Sequence, residues 1–197
     1  MALGLILAGG RSLRFGAEKA ASEIDGVSLL ERAVDRLSTC DVVAVSCPPG
    51  CAAARLAERL GLACLEDPPA SPRGPLAGVM AGLIWAQGKD DTLVTLPCDA
   101  PLLPAGLAER LIGASAGAPA AMARTPGGLQ PLCAVWRGAM IRPLRAALAN
   151  GLHPPVHQML SDAGAAIVDF PDDEAFLNIN SPDDLTRAAL RLRGGPA

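Results

Sequence analysis

A chain of 197 residues suits one domain and buries roughly 70% of the surface that its unfolded form exposes. Half of the residues are apolar, 19% are charged and the formal net charge is -3, so neither a disordered chain nor a broadly basic nucleic-acid surface is expected. With no Tyr, three Phe and two Trp there is little aromatic platform for stacking single-stranded bases, and any cationic site must be local.

The first apolar run, Leu3 to Ala8, reads as a buried strand that stops at Gly9-Gly10. It starts without a basic leader or cleavage site, and no later stretch reaches the roughly 18 to 20 apolar residues of a membrane span. A cytoplasmic protein with no membrane and no nucleic-acid partner is the expectation. Further apolar runs follow at Val42 to Ser46, Ala63 to Leu65, Thr92 to Leu96, Ala120 to Ala123, Pro131 to Trp136 and Ala166 to Phe170. Between most of them lie stretches of helical period: Leu29 to Leu37, Ala52 to Leu60, Leu76 to Trp85, Leu107 to Ile112 and Met140 to Leu148.

This alternation predicts an α/β fold, a single Rossmann-like three-layer domain over residues 1–193 with a mostly parallel sheet. The Pro-Gly-Gly signal within Thr125 to Gly128 predicts an antiparallel element in the C-terminal half. Ser181-Pro182-Asp183-Asp184 starts a last helix over 181–192, with Ser181 as N-cap and Pro182 at the first helical position. Residues 194–197 are expected to fray. The six cysteines, Cys40, Cys47, Cys51, Cys64, Cys98 and Cys133, read as reduced thiols acting as small hydrophobes, and a metal-thiolate site is not expected. His153 and His157 are four apart, but Pro154 and Pro155 rule out one helix carrying both.

In such sheets ligands collect where strand order reverses, beyond the carboxyl ends of the strands. The loop after the first strand, "LAGGRSLRFGAEK", places two glycines before Arg11, Arg14, a third glycine and Lys19. Its backbone N–H groups can converge on a phosphate, and its cations can neutralise developing charge. It is not a Walker A loop, because five residues separate Gly10 from Gly16, and it lacks the Gly-x-Gly-x-x-Gly dinucleotide spacing. Asp67 follows the third strand, ahead of Gly74-Pro75-Leu76-Ala77-Gly78. A carboxylate there can accept the N1–H and 2-amino hydrogens of guanine, or serve only a helix-capping loop. Asp99 ends the fourth strand between Pro97 and Pro101, where a hard oxygen ligand can hold Mg²⁺, or a turn can simply be capped. Asn178 and Asn180 alternate, so that both amides face one side of an extended segment.

The stretch at residues 7–19 resembles the LAGGxSxRMGxDK signature of the molybdopterin-type nucleotidyltransferases, most closely the molybdenum cofactor guanylyltransferases. Phe15 stands for the usual Met and Glu18 for the usual Asp. "GPLAG", "PCDAP" and "FLNINSPDDL" resemble further family segments in the same order. The resemblance implies transfer of GMP from Mg-GTP to molybdenum-molybdopterin. It implies a nucleotide site at Leu7, Ala8, Gly9, Gly10, Lys19, Ser46, Asp67, Gly78 and Asp99, with Asp99 on Mg²⁺. Lys19, Arg14 and Asp99 would be catalytic, and Asn178 and Asn180 would bind the pterin substrate. Molybdoenzyme chaperones or apo-molybdoenzymes are the implied protein partners. Alternatives are a cytidylyltransferase or another nucleotidyltransferase of the same fold, or a non-catalytic carrier of nucleotide or cofactor. The stretch "NGLHPPVHQML" lacks the basic residues expected to hold the pterin phosphate.

Overall fold

The computed structural model describes residues 1–9, 19–69, 71–72, 74–89, 91–149, 151 and 153–194. Seven strands form one sheet: β1 (Leu3–Leu7), β4 (Val42–Ser46), β5 (Ala63–Leu65), β6 (Thr92–Pro97), β7 (Ala120–Thr125), β8 (Gly128–Arg137) and β9 (Ala166–Asp169). Their order is β5-β4-β1-β6-β8-β7-β9. Among the described residues of this sheet, only β8 runs against its neighbours β6 and β7, and the other pairings in it are parallel. The mostly parallel sheet and its antiparallel element follow the sequence expectation.

Alternation along β1 shows why the sheet has two covered faces. Ile6 enters one core with Leu30, Ala33 and Leu37, whereas Leu3 and Leu5 enter another with Leu76, Val79, Met80 and Leu83. The first face is covered by α1 (Leu29–Asp35), α2 (Ala52–Arg59) and α4 (Leu107–Ala114). The second is covered by α3 (Pro75–Ala86), α5 (Ile141–Ala149) and α6 (Val156–Asp162). Nine of the twelve residues of α3 are buried, more than one stripe of a helix, because α5 packs on it from outside. Gly82 lets α3 lie close to the sheet: a Cβ there would stand 2.6 Å from Leu5 Cδ2.

A small third core joins α7 (Pro182–Leu192) to a hairpin of β2 (Glu23–Ile24) and β3 (Val27–Ser28) through Ile24, Leu29, Ile179 and Ala188. The hairpin turns on Asp25 and Gly26, both at positive φ, which is the two-residue Asp-Gly turn. This hairpin and α6 are additions to the elements expected from sequence. Helix α6 begins immediately after Pro155, so the prolines separate His153 from the helix that carries His157. Helix α7 has the expected Ser181 cap and Pro182, and Asp184 completes a capping box. Arg193 pairs with Asp25, tying the end of α7 to the hairpin, and residues 195–197 of the expected frayed tail lie outside the described residues.

All six cysteines are free, and Cys47, Cys98 and Cys133 are buried as expected, whereas Cys64 is exposed. No helix among the described residues is long and apolar enough to cross a membrane.

Candidate active site

The chain runs from β1 to β4 and β5 on one side, then returns to place β6 on the other side of β1. Strand order therefore reverses at the β1–β6 boundary, which is where a parallel sheet opens a ligand crevice. Leu7, Ser46, Leu65 and Pro97 form one row of register partners across the ends of β1, β4, β5 and β6. Gly9, Asp67 and Asp99 each lie two residues beyond that row. Three strand spacings separate β5 from β6, about 14 Å along the sheet edge.

Backbone bonds extend the sheet past the strand ends and so aim these loops. Ala8 N–H donates to Ser46 O at 2.9 Å, and Cys98 N–H donates to Leu7 O at 3.2 Å. A Cβ on Gly9 would meet no atom within 4 Å among the described residues, so no packing by those residues demands glycine there. Gly10 and Arg14, both expected in the site, lie outside the described residues.

Lys19 opens a single 3-10 turn, Lys19–Ala21, whose Ala20 is buried in the first core. Its Nζ lies 3.0 Å from Asp99 Oδ2 and 2.7 Å from Asn180 Oδ1. Three segments distant in sequence thus meet at one ammonium group. Asn180 is delivered by its own framework: Ile179 is fully buried, and its N–H donates to Asp99 O at 2.8 Å. The next residue is then pinned from the other side, because Asn180 N–H donates to Asp184 Oδ2 at 2.9 Å. That bond, followed by those from the hydroxyl and N–H of Ser181, holds the Asp184 carboxyl below its ordinary value. Asn178 is exposed on the same side of the segment, and Asn180 Nδ2 donates to Asn178 O at 3.4 Å.

The other expected residues take different positions. Asp67 is exposed beyond β5, at the end of the row away from Asp99. Ser46 is buried, and Gly78 is buried against it: a Cβ on Gly78 would stand 2.4 Å from Ser46 Oγ and 3.1 Å from Leu7 Cδ2. In this structure Gly78 serves the close seating of α3 beneath the strand ends. The roles of Asp184 in pinning Asn180 and of Ile179 in docking on Asp99 went unread in the sequence. The capping-box spacing of Ser181 and Asp184 was the available signal for the first.

The donor set around Lys19 consists of hard oxygens, the Asp99 carboxylate and the Asn180 amide oxygen, which suits Mg²⁺ and not a soft metal. No group of three or more His, Cys, Asp or Glu among the described residues could hold a metal by itself.

Residues 4–164 match the model of the MobA-like NTP transferase domain. The chain is 42% identical over 192 residues to a molybdenum cofactor guanylyltransferase of Cereibacter sphaeroides, covering 96% of each chain. It is 38% identical over 194 residues to a molybdenum cofactor guanylyltransferase of Rhodobacter capsulatus, again covering 96% of each. Among solved structures, molybdopterin-guanine dinucleotide biosynthesis protein A from Archaeoglobus fulgidus superposes with a TM-score of 0.77 at 24% identity, covering 98% of this chain and 99% of that one. A 2-C-methyl-D-erythritol 4-phosphate cytidylyltransferase from Thermus thermophilus gives a TM-score of 0.72 at 21% identity, over 98% of this chain and 100% of that one. The fold is therefore shared by proteins named for different bases and acceptors.

Proposed function

The chain belongs to the MobA-like NTP transferase family, and we propose that it is a guanylyltransferase that transfers GMP from Mg-GTP to the terminal phosphate of molybdenum-molybdopterin. The products are the guanine dinucleotide form of the cofactor and pyrophosphate. The observation that carries the proposal is the meeting of Lys19, Asp99 and Asn180 at the strand-order reversal, in a chain similar over nearly its full length to proteins of that name.

The acceptor phosphate oxygen attacks the α-phosphorus in line. A bond forms between them, the bond from the α-phosphorus to the bridging oxygen breaks, and pyrophosphate leaves with that electron pair. No side-chain nucleophile is needed, so the protein contributes position and charge. Gly9 and Gly10 offer backbone to the phosphates. Lys19 neutralises charge on the reacting phosphate, and Arg14 is assigned the same duty. Asp99 would hold Mg²⁺, which when bound supplies charge neutralisation at the phosphates. Leu7, Ala8, Ser46 and Gly78 shape the nucleotide side, and Asp67, at the far end of the row, reads the guanine edge. Asn178 and Asn180 bind the pterin substrate next to Lys19. The setting is cytoplasmic, with a molybdoenzyme chaperone or apo-molybdoenzyme receiving the product.

The test is pyrophosphate release with Mg²⁺ and molybdenum-loaded molybdopterin, comparing GTP, CTP and ATP. Release with GTP alone is expected. Release with CTP alone would keep the chemistry and replace the base assignment, and GTP binding without release would make the chain a carrier.

A further inference from the structure

Helix α3 begins without a side-chain cap of its own. Its N-cap is Gly74, and Pro75 at the first position has no N–H to satisfy. Ala77 N–H donates to Gly74 O at 3.1 Å. The remaining first-turn donor, Leu76 N–H, donates to His153 Nε2 at 3.2 Å. An imidazole from 77 residues further along the chain therefore takes the place that Ser, Thr, Asp or Asn usually fills. In this contact Nε2 is the acceptor, the role open to an unprotonated ring nitrogen.

The fit is specific to glycine at position 74. A Cβ there would stand 2.3 Å from Nε2 and 2.7 Å from both Cδ2 and Cε1, and the φ of +148° is one that side chains rarely adopt. The backbone on the far side of the histidine is anchored as well. Pro154 restricts its backbone, Pro155 follows as the N-cap of α6, and Val156 and Leu160 of that helix are buried in the second core.

What this contact positions is the first turn of α3, which closes at Gly78 with its close contacts to Ser46 and Leu7. Those two residues end β4 and β1 beside the crevice. We propose that His153 is a positioning residue for nucleotide binding: by capping α3 from the C-terminal half of the chain, it sets the height of the GPLAG turn against the ends of β1 and β4. This role rests on the proposed use of that crevice for GTP.

The experiment compares His153→Ala and His153→Gln with the wild type. Glutamine keeps an acceptor for Leu76 N–H, and alanine does not. Amide exchange of the peptide spanning residues 74–86, measured without nucleotide, is expected to accelerate about fivefold in the alanine variant, the loss of one cap, and to return toward wild type with glutamine. The Kd and KM for GTP should rise by about the same factor in the alanine variant, with kcat little changed, and glutamine should restore both. A wild-type Kd in the alanine variant, or equal damage in both variants, would overturn the positioning role alone. Wild-type protein that binds no GTP would overturn the proposed function and this role with it, while the exchange data would still report the cap.

Discussion

Lys19 Nζ bridges Asp99 Oδ2 and Asn180 Oδ1, joining the segment that follows the glycine loop to the end of β6 and to the segment before α7. The ammonium group thereby lies between the carboxylate proposed to hold the metal and the amide proposed to bind the pterin. We predict that Lys19→Ala lowers kcat about 100-fold or more, the usual effect of deleting one preorganised electrostatic group, with the fold intact by circular dichroism. Lys19→Arg should recover only part of the rate, because the planar guanidinium cannot reproduce a compact ammonium between two oxygens. Near-normal turnover of the alanine variant would remove Lys19 from the chemistry.

Asn180 depends on Asp184 for its backbone position. Because the Asp184 carboxyl is held below its ordinary 3.8 by N–H and hydroxyl donors, its bonds stabilise the folded chain at pH values above about 3.8. That contribution is lost as pH falls through the lowered value. Protection factors of residues 178–186, taken relative to the intrinsic exchange rate at each pH, should therefore fall in acid for the wild type, while Asp184→Asn should show lower protection at neutral pH and less acid dependence. The variant should also lose about 1 kcal/mol of stability in urea melts, the scale of one helix cap.

The seating of α3 can be probed at Gly78. A methyl group there would stand 2.4 Å from Ser46 Oγ, so Gly78→Ala must displace the serine or lift the helix. A stability loss of about 1–3 kcal/mol is expected, as for other overpacked cores. Gly78→Ala combined with Ser46→Gly should regain part of it, whereas the same loss in both proteins would place the strain elsewhere.

Trp136 and Thr95 form a buried polar contact between β8 and β6: the indole N–H donates to Thr95 Oγ1 at 3.1 Å, and the hydroxyl donates to Leu132 O at 3.0 Å. Thr95→Val keeps the shape and leaves the indole donor unsatisfied. Thermal and urea unfolding should show a cost of about 1–3 kcal/mol, with turnover unaffected at temperatures where the variant is folded.

Thiol labelling should separate the cysteines by exposure. Burial pushes the Cys98 thiol up to about 12 and raises that of Cys133, while Cys64 is exposed. Cys64 should therefore react first with a maleimide in the native protein, and Cys98 and Cys133 only on unfolding. Early labelling of Cys133 would contradict the packing beneath β8.

The alternation of apolar runs and helical stretches made the sheet legible, because strands buried on both faces read as unbroken apolar segments. The hairpin at residues 23–28 escaped notice although Asp25-Gly26 is a strong turn signal, since strands of two residues carry no periodicity. Helix α6 was masked by Pro154 and Pro155, which stop one helix from spanning both histidines yet permit a new one to start. Asp99 was legible from its place after an apolar run flanked by prolines. The cap that His153 gives to α3 was not, because local spacing says nothing about contacts across 77 residues.

The most direct measurement follows the label from [α-³²P]GTP and from [γ-³²P]GTP in parallel reactions with molybdenum-loaded molybdopterin, using the wild type and Asp99→Ala. The account predicts that the α-label enters the pterin product and the γ-label leaves in pyrophosphate, with both transfers lost in the variant. Release of the α-label only as free GMP, entry of the γ-label into the pterin product, or undiminished transfer by Asp99→Ala would contradict it.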